Sequence, residues 1–451
     1  MSDGPINGLT KLSAKSAVID KIDEGGFYVD RRVFSDPEIF KLEMNRIFTR
    51  VWVFLGHESQ IKKPGDFITT WIGQTPVILN RKSSGEIGAL VNSCAHRGAM
   101  VTRAGKGNSA VFACPYHGWC YDTEGKNVKV PDREAGHYMP QFDKDNHDLT
   151  PVPKVASYRG FIWGSLNEQA EDLSVYLGET KSVIDLLVDQ SPQGLEVLRG
   201  SSTYTFQANW KLQMENGIDG YHFPIVHASY VMLARRRGDA AKAQMLDVRK
   251  LMEMQTGCYH FDNGHAMIWG DLPSPDWRPH YDQREVLIKR YGDDRFHWMM
   301  ERMRNLMVFP NVQIMDQAST QIRIFRPISQ DETEVKIYCI APVGESRESR
   351  ARRLRQYEDF FNASGLGTPD DLAVFEACQM GYKGAFGRYL QPYDRGIGAM
   401  IEGADDEADK IGLKPAASGI NNADEILYHG PYRQWLKLMA ENTENAERVE
   451  S

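Results

Sequence analysis

Cys94-Ala95-His96-Arg97-Gly98-Ala99 and Cys114-Pro115-Tyr116-His117-Gly118-Trp119 are the two stretches on which the reading of this chain turns. Seventeen residues separate His96 from Cys114. Two thiols and two imidazoles thus arrive in two short loops and complete a four-ligand metal set. Zinc accepts such a set; so does a [2Fe–2S] cluster in which two histidines replace two cysteines on one iron. Imidazole places less negative charge on iron than thiolate does, so that replacement raises the reduction potential into a range useful for delivering electrons. Gly98 and Gly118 let backbone N–H groups come close to the cluster sulfurs. Four such residues meeting by chance is disfavoured by the spacing. The other cysteines, Cys120, Cys258, Cys339 and Cys378, make no second ligand pattern and read as free thiols.

Around these loops the chain reads as β structure. Phe67–Trp71, Pro76–Asn80, Ile87–Asn92 and Ala110–Ala113 are short runs separated by turns such as Ser83-Ser84-Gly85. Upstream, Ser35-Asp36-Pro37-Glu38 predicts a helix start, with Ser35 and Glu38 as a capping box and Phe34 and Ile39 as a hydrophobic staple. Downstream, helical patterns run through Leu173–Leu187 and Trp210–Leu233. Gln321–Arg326 and Glu334–Ala341 predict a hairpin around Ser329-Gln330-Asp331. Ser346–Phe361 alternates Arg and Glu and predicts an exposed, ion-paired helix, and the acidic run Asp405–Asp409 predicts a surface loop. The class is α+β, with an antiparallel β insert.

A second metal site is written in Asp219-Gly220-Tyr221-His222-Phe223-Pro224-Ile225-Val226-His227. Two histidines five apart on a regular helix point about 140° from each other. They share a metal only if the helix is interrupted, and Pro224 supplies an interruption. Asp219, one turn before His222, can accept the second ring N–H of that imidazole and fix its tautomer. Two histidines and one carboxylate with open positions suit non-haem Fe(II) that activates O2.

Composition removes other classes. The 451 residues are 41% hydrophobic, and the 39 glycines bring the total to half, as in ordinary globular chains. Against 53 basic residues stand 61 acidic ones, a net charge of −8 with no long basic stripe, which disfavours nucleic acid or anionic membrane as partners. The longest apolar run, Val51–Leu55, is far too short to span a bilayer, and Met1–Pro5 lacks signal-peptide features, so a cytoplasmic protein is expected. Six cysteines are too few for a disulfide scaffold.

The segments CAHRGA (94–99) and CPYHGWCYD (114–122) resemble the Rieske cluster of ring-hydroxylating oxygenases. That resemblance implies that Cys94 and Cys114 hold one iron and His96 and His117 the other. It also implies an all-β Rieske domain, residues 40–165, inserted in a catalytic domain formed by 1–39 and 166–451. The catalytic domain would carry an antiparallel sheet flanked by helices, in the helix-grip or START-like manner. For the mononuclear iron the resemblance adds Asp371 to His222 and His227. The adjacent Asp370 is the other candidate, and both fit the first turn of a helix equally well by spacing. Asn216 and Tyr221 are implied to lie near the iron, where helix packing is their other use. Asp219 is implied to bridge to His117 of the partner subunit.

The resemblance extends along the chain. GLEVLRGSSTYTF (194–206), ENGIDGYH (215–222), IYCIAPVGE (337–345) and RQYEDFFNASGLGTPDDL (355–372) are similar to the large subunit of benzoate-type dioxygenases, the branch acting on benzoate, anthranilate, toluate and 2-halobenzoates. The implied reaction is cis-dihydroxylation of an aromatic acid at positions 1 and 2, using O2. No GxGxxG or Walker loop is present, so a separate NADH-dependent reductase, with or without a ferredoxin, is expected to supply electrons. A small β subunit and a trimeric arrangement are implied as well. Two alternatives share the ligands: a Rieske monooxygenase or demethylase, and an electron carrier without oxygenase activity. A carboxylated substrate needs a cation near the iron. Arg323, on the expected strand, is the candidate; a structural ion pair is the other use of such a residue. The segments His222–His227 and Tyr230–Gly238 depart from benzoate-type sequences, which leaves the individual acid open.

Overall fold

The computed structural model describes residues 16–236, 253–317, 320–384 and 389–440. Met1–Pro5, and Arg237 and Gly238 of the divergent segment, lie outside the described residues. Among the described residues no helix is long and apolar enough to cross a membrane.

Asp66–Ile72, Thr75–Arg81 and Ile87–Val91 form an antiparallel meander with Lys106–Asn108 on its edge, within a residue or so of the expected strands. Side chains alternate across a strand, and here the alternation divides two cores. Val77 and Leu79 enter the main core of the molecule, while Ile78 between them packs with Phe112, Trp119, Tyr121 and the two loop cysteines. The two Cys–His loops are therefore seated on the outer face of a sheet whose inner face is shared with everything else. A second small sheet, Val111–Ala113, Cys120–Asp122 and Asn127–Lys129, carries the second loop at its turn. A third, Lys154–Tyr158, Phe161–Ser165 and Val53–His57, joins the main core through Phe54, Phe161 and Trp163.

The larger part is built on a ten-stranded antiparallel sheet. Its central strands, in spatial order, are Glu332–Pro342, Thr320–Ser329, Val312–Asp316, Arg302–Val308, Ala266–Asp271 and Thr256–His260. The expected hairpin is present: Ser329 pairs with Glu332 across Gln330-Asp331, and the Ser329 hydroxyl donates to Asp331 at 2.9 Å. Helices Trp210–Asn216 and Thr368–Tyr382 are joined to the sheet region by side-chain bonds described below. The architecture is α+β.

Several local expectations are corrected. The first helix is capped by Asp36, whose carboxylate accepts from Glu38 N at 2.8 Å, not by Ser35. Pro37 decides this, because the residue before a proline is held out of the helical region and Pro itself suits the first turn. The pattern over Leu173–Leu187 divides into Leu173–Leu177 and Thr180–Val188 at Gly178, whose φ is +49°. The arginine-rich helix Arg347–Gln356 is not wholly exposed: Arg353 is buried and paired with buried Glu345 at 2.6 Å. The acidic run forms the short helix Asp406–Asp409, with Glu407 buried against Arg302 at 2.7 Å.

Candidate active site

The two Cys–His loops are one turn built twice. Gly98 N donates to Cys94 O at 2.8 Å and Gly118 N to Cys114 O at 3.0 Å, each glycine at a φ near +70° that a side chain would strain. Cys94 and Cys114 are buried, His96 is half-buried and His117 exposed, so the sulfur end faces inward and the imidazole end outward. The two rings lie 4.5 Å apart between centroids, and His96 stacks flat on Trp119 at 4.8 Å. The Tyr121 hydroxyl sits 3.1 Å from Cys94 Sγ and accepts from Ala95 N at 3.2 Å. His96 Nδ1 is buried without a hydrogen-bond partner among the described residues. Two buried thiols, paired imidazoles and an orphaned ring nitrogen fit a [2Fe–2S] cluster.

The helical pattern over Trp210–Leu233 forms three pieces: Trp210–Asn216, the single turn Phe223–Val226, and Ala228–Arg236. The interruption falls at Gly217–Gly220 and not at Pro224, which is accommodated in the first turn of the short helix. His222 and His227 flank that turn as its two caps. The Gln313 amide ends the first helix by donating to Gln213 O at 2.7 Å and Met214 O at 3.0 Å, and Asn305 Nδ2 donates to Gly217 O at 2.9 Å. A Cβ on Gly217 would stand 2.2 Å from the Gln313 side chain, so only glycine lets the sheet grip the turn this closely.

Three donor atoms converge. Nε2 of His222 and Nε2 of His227 lie 3.4 and 3.2 Å from Asp371 Oδ1, and a ligand atom of each of the three residues fits within 4.8 Å of the others. Asn216 Nδ2 donates to the same Asp371 oxygen at 3.2 Å. Behind the imidazoles stand two further carboxylates. Asp219 Oδ2 is 3.2 Å from His222 Nδ1, and Asp370 Oδ2 is 3.8 Å from His227 Nδ1 while accepting from Ser229 Oγ at 3.3 Å. Burial opposes a charge on His222, but Asp219 and Asp371 lift its pKa to about 10; against the same burial, the two histidines hold Asp371 well below the carboxylate range. The field of the site calls for positive charge among these donors, which a divalent cation answers. Two histidines and a carboxylate fit Fe(II).

The same residues line a cavity of about 440 Å³, otherwise walled mainly by apolar side chains such as Ile268, Met303, Met315, Phe360 and Phe361. Arg323 also lines it. Its guanidinium is buried, lies 5.2 Å from the Phe361 ring centroid and is 3.4 Å from Thr368 Oγ1. Among the described residues no carboxylate comes within 4.0 Å of it, and its Nε has no partner. Tyr221 lines the same cavity with its ring more than half exposed and the Arg395 guanidinium 4.3 Å from its centroid.

The chain matches the family model of the ring hydroxylating alpha subunit catalytic domain over residues 196–407, and the Rieske [2Fe-2S] domain over residues 51–157. It is 45% identical to the toluate 1,2-dioxygenase subunit alpha of Pseudomonas putida, over 94% of this chain and 93% of that one. It is 44% identical to the 2-halobenzoate 1,2-dioxygenase large subunit of Burkholderia cepacia, over 94% and 92%. The chain belongs to the ring-hydroxylating dioxygenase α subunits. A solved structure, naphthalene 1,2-dioxygenase from Rhodococcus sp. with indole, superposes with a TM-score of 0.78 at 28% identity, covering 91% of this α subunit and 94% of that chain.

As a member of this family the α subunit is a dioxygenase with a Rieske [2Fe–2S] cluster and a mononuclear iron. Sequence reading did not find Asn305, Gln313 or the placement of Asp370. The first two are ordinary strand residues, and only the sheet register carries their amides to the interrupted turn.

Proposed function

We propose that this α subunit cis-dihydroxylates a benzoate-type aromatic carboxylic acid at positions 1 and 2. The observation that carries the reading is Arg323, a buried cation that has no carboxylate partner among the described residues, in the cavity that His222, His227 and Asp371 also line. Burying an unpaired charge is costly, so a site that keeps one is suited to an anion that arrives later. The net charge of −8 opposes such an anion globally, which leaves its capture to a local group. The relatives acting on toluate and 2-halobenzoate support a carboxylated ring.

In this reading Cys94, Cys114, His96 and His117, in the unit 40–165, hold the cluster, and His222, His227 and Asp371 hold the iron. The cluster supplies electrons and Fe(II) supplies dioxygen activation when bound. Asp219 keeps the proton of His222 on Nδ1, leaving Nε2 free as a donor, and Asn216 fixes the Asp371 carboxylate. Arg323 orients the acid while the apolar walls hold the ring and exclude water. Tyr221, at the exposed rim, contributes to the entrance together with Arg395. A small β subunit, an NADH-dependent reductase with or without a ferredoxin, a trimeric arrangement and a cytoplasmic location complete the assignment.

Turnover under 18O2 with benzoate and its substituted derivatives, supplied with a surrogate reductase, tests it. Two labelled oxygens in one diol are expected; a single labelled hydroxyl, or loss of an N- or O-alkyl group, would assign a monooxygenase or demethylase instead.

A further inference from the structure

Helix Trp210–Asn216 ends in two residues with different partners. Asn216 lines the cavity, donates to Asp371 Oδ1 at 3.2 Å and lies 3.3 Å from His222 Nε2. Its covalent neighbour Glu215 does not line the cavity. Instead, Tyr393 and Tyr432, both buried, donate their hydroxyls to one oxygen, Glu215 Oε1, Tyr393 from 2.7 Å. The two rings stand 5.3 Å apart between centroids, and the buried ring of Tyr428 stands 5.3 Å from that of Tyr393. Gln391 extends the row. Its Nε2 donates to the Tyr393 hydroxyl oxygen at 2.6 Å, and its Oε1 accepts from the Tyr382 hydroxyl at 3.1 Å. Tyr382 is half-buried, so the row leads from the residue beside Asn216 toward the surface.

A core filled for packing alone would use phenylalanine here, because every buried hydroxyl must find a partner. Phenols are also among the most readily oxidised side chains, and they lose an electron most easily when a base stands ready for the proton. A carboxylate that already accepts the phenol's hydrogen bond is such a base, and above pH 7 Glu215 is largely ionised. The dioxygenase activity supplies the oxidant. Dioxygen reduced at the iron with no ring bound leaves oxidising power whose nearest targets are the cavity side chains His222, His227 and Phe360. We propose that Tyr393 and Tyr432, with Glu215 as proton acceptor, carry oxidising equivalents away from the iron site when dioxygen is activated without substrate. In that step a phenol gives one electron to the oxidised iron and its proton to the Glu215 carboxylate. The products are a phenoxyl radical, a carboxylic acid and iron reduced by one electron. This rests on the placement of iron at His222, His227 and Asp371.

Electron paramagnetic resonance on the prereduced holoenzyme, frozen after exposure to O2 without substrate, tests the inference. A tyrosyl radical signal is expected, and it should narrow in protein made with ring-deuterated tyrosine. Glu215→Gln keeps an acceptor for the hydroxyls but not a base, and is expected to lose the signal. Tyr393→Phe and Tyr432→Phe each leave Glu215 one phenol donor, and at least one of them is expected to lose it. Variants that lose it are expected to inactivate in fewer substrate-free turnovers, with oxidised His222, His227 or Phe360 detected by peptide mass spectrometry. The glutamine variant and the phenylalanine pair decide independently, so failure of one to fold leaves the test standing. No tyrosyl signal in the iron-loaded protein, an equal signal in the iron-free protein, or a signal surviving in Glu215→Gln or in both phenylalanine variants overturns the inference and leaves the iron placement intact. Iron retained in full by Asp371→Ala overturns that placement itself.

Discussion

At Asp371 two imidazole nitrogens meet one carboxylate oxygen, and no other His, Cys, Asp or Glu among the described residues joins that group. Asp371→Ala is expected to lose bound iron and turnover while keeping the visible spectrum of the cluster; iron analysis beside absorbance checks it, and retained turnover removes Asp371 from the site. Arg323→Gln is expected to raise KM for the acid about 10–100-fold, the worth of a hydrogen bond to a charged group, with a smaller change in kcat. A structural role would lower thermal stability and leave KM alone. Glu215 makes a different prediction. It is half-buried one residue before Asn216, accepting from the hydroxyls of Tyr393 (2.7 Å) and Tyr432, and desolvation of its carboxylate pushes its pKa up to about 7 from an ordinary 4.5. The folded protein therefore keeps a proton that the unfolded chain releases between pH 4.5 and 7. Stability contributed by this group is full below 4.5 and is lost as pH rises through 7. Glu215→Gln is expected to flatten that decline in unfolding midpoint, by at most about 3 kcal/mol at pH 8.

Elements were legible where a local signal was strong and misplaced where two signals competed. Ser35 and Asp36 are both good caps, and the constraint that Pro37 places on its predecessor decides between them. Asp36→Ala should cost about 1 kcal/mol of stability, and Ser35→Ala no more than about 0.5 kcal/mol, in denaturant titrations. The opposite ranking would restore Ser35 as the cap. The interruption that lets His222 and His227 face one carboxylate was expected at Pro224. It falls earlier because Gln313 and Asn305, on neighbouring strands, take the carbonyls that would continue the helix through Gly217. A proline announces itself in sequence; a glutamine on a distant strand does not.

Across the whole molecule the two Cys–His loops and the place where His222, His227 and Asp371 meet belong to different cores. The loops rest on a small cluster in which Cys94 and Cys114 are themselves core members, whereas the ten-stranded sheet shares one large core with the inner face of the meander. A cysteine lost from the small core removes a strut that the large core does not need. Cys114→Ala is expected to raise amide hydrogen exchange in residues 92–130 while the strands Arg302–Val308 and Thr320–Ser329 stay protected. Uniform loss of protection would show that the cores unfold as one.

Sequence alone determined the donor chemistry. Cys94 with His96, Cys114 with His117 and His222 with His227 are near neighbours in the chain, and covalent spacing limits where neighbours can go. It also determined the strands of the meander, because alternation is a local pattern. Tertiary structure alone decided what depends on distant partners. Asp371 rather than Asp370 turns toward the imidazoles because successive residues on a helix point about 100° apart and packing fixes the rotation. Among the described residues Arg323 has no carboxylate partner, and it lines a cavity only because strands and helices far apart in sequence close around it. A residue's identity is local, but its lack of a partner is a property of everything folded around it.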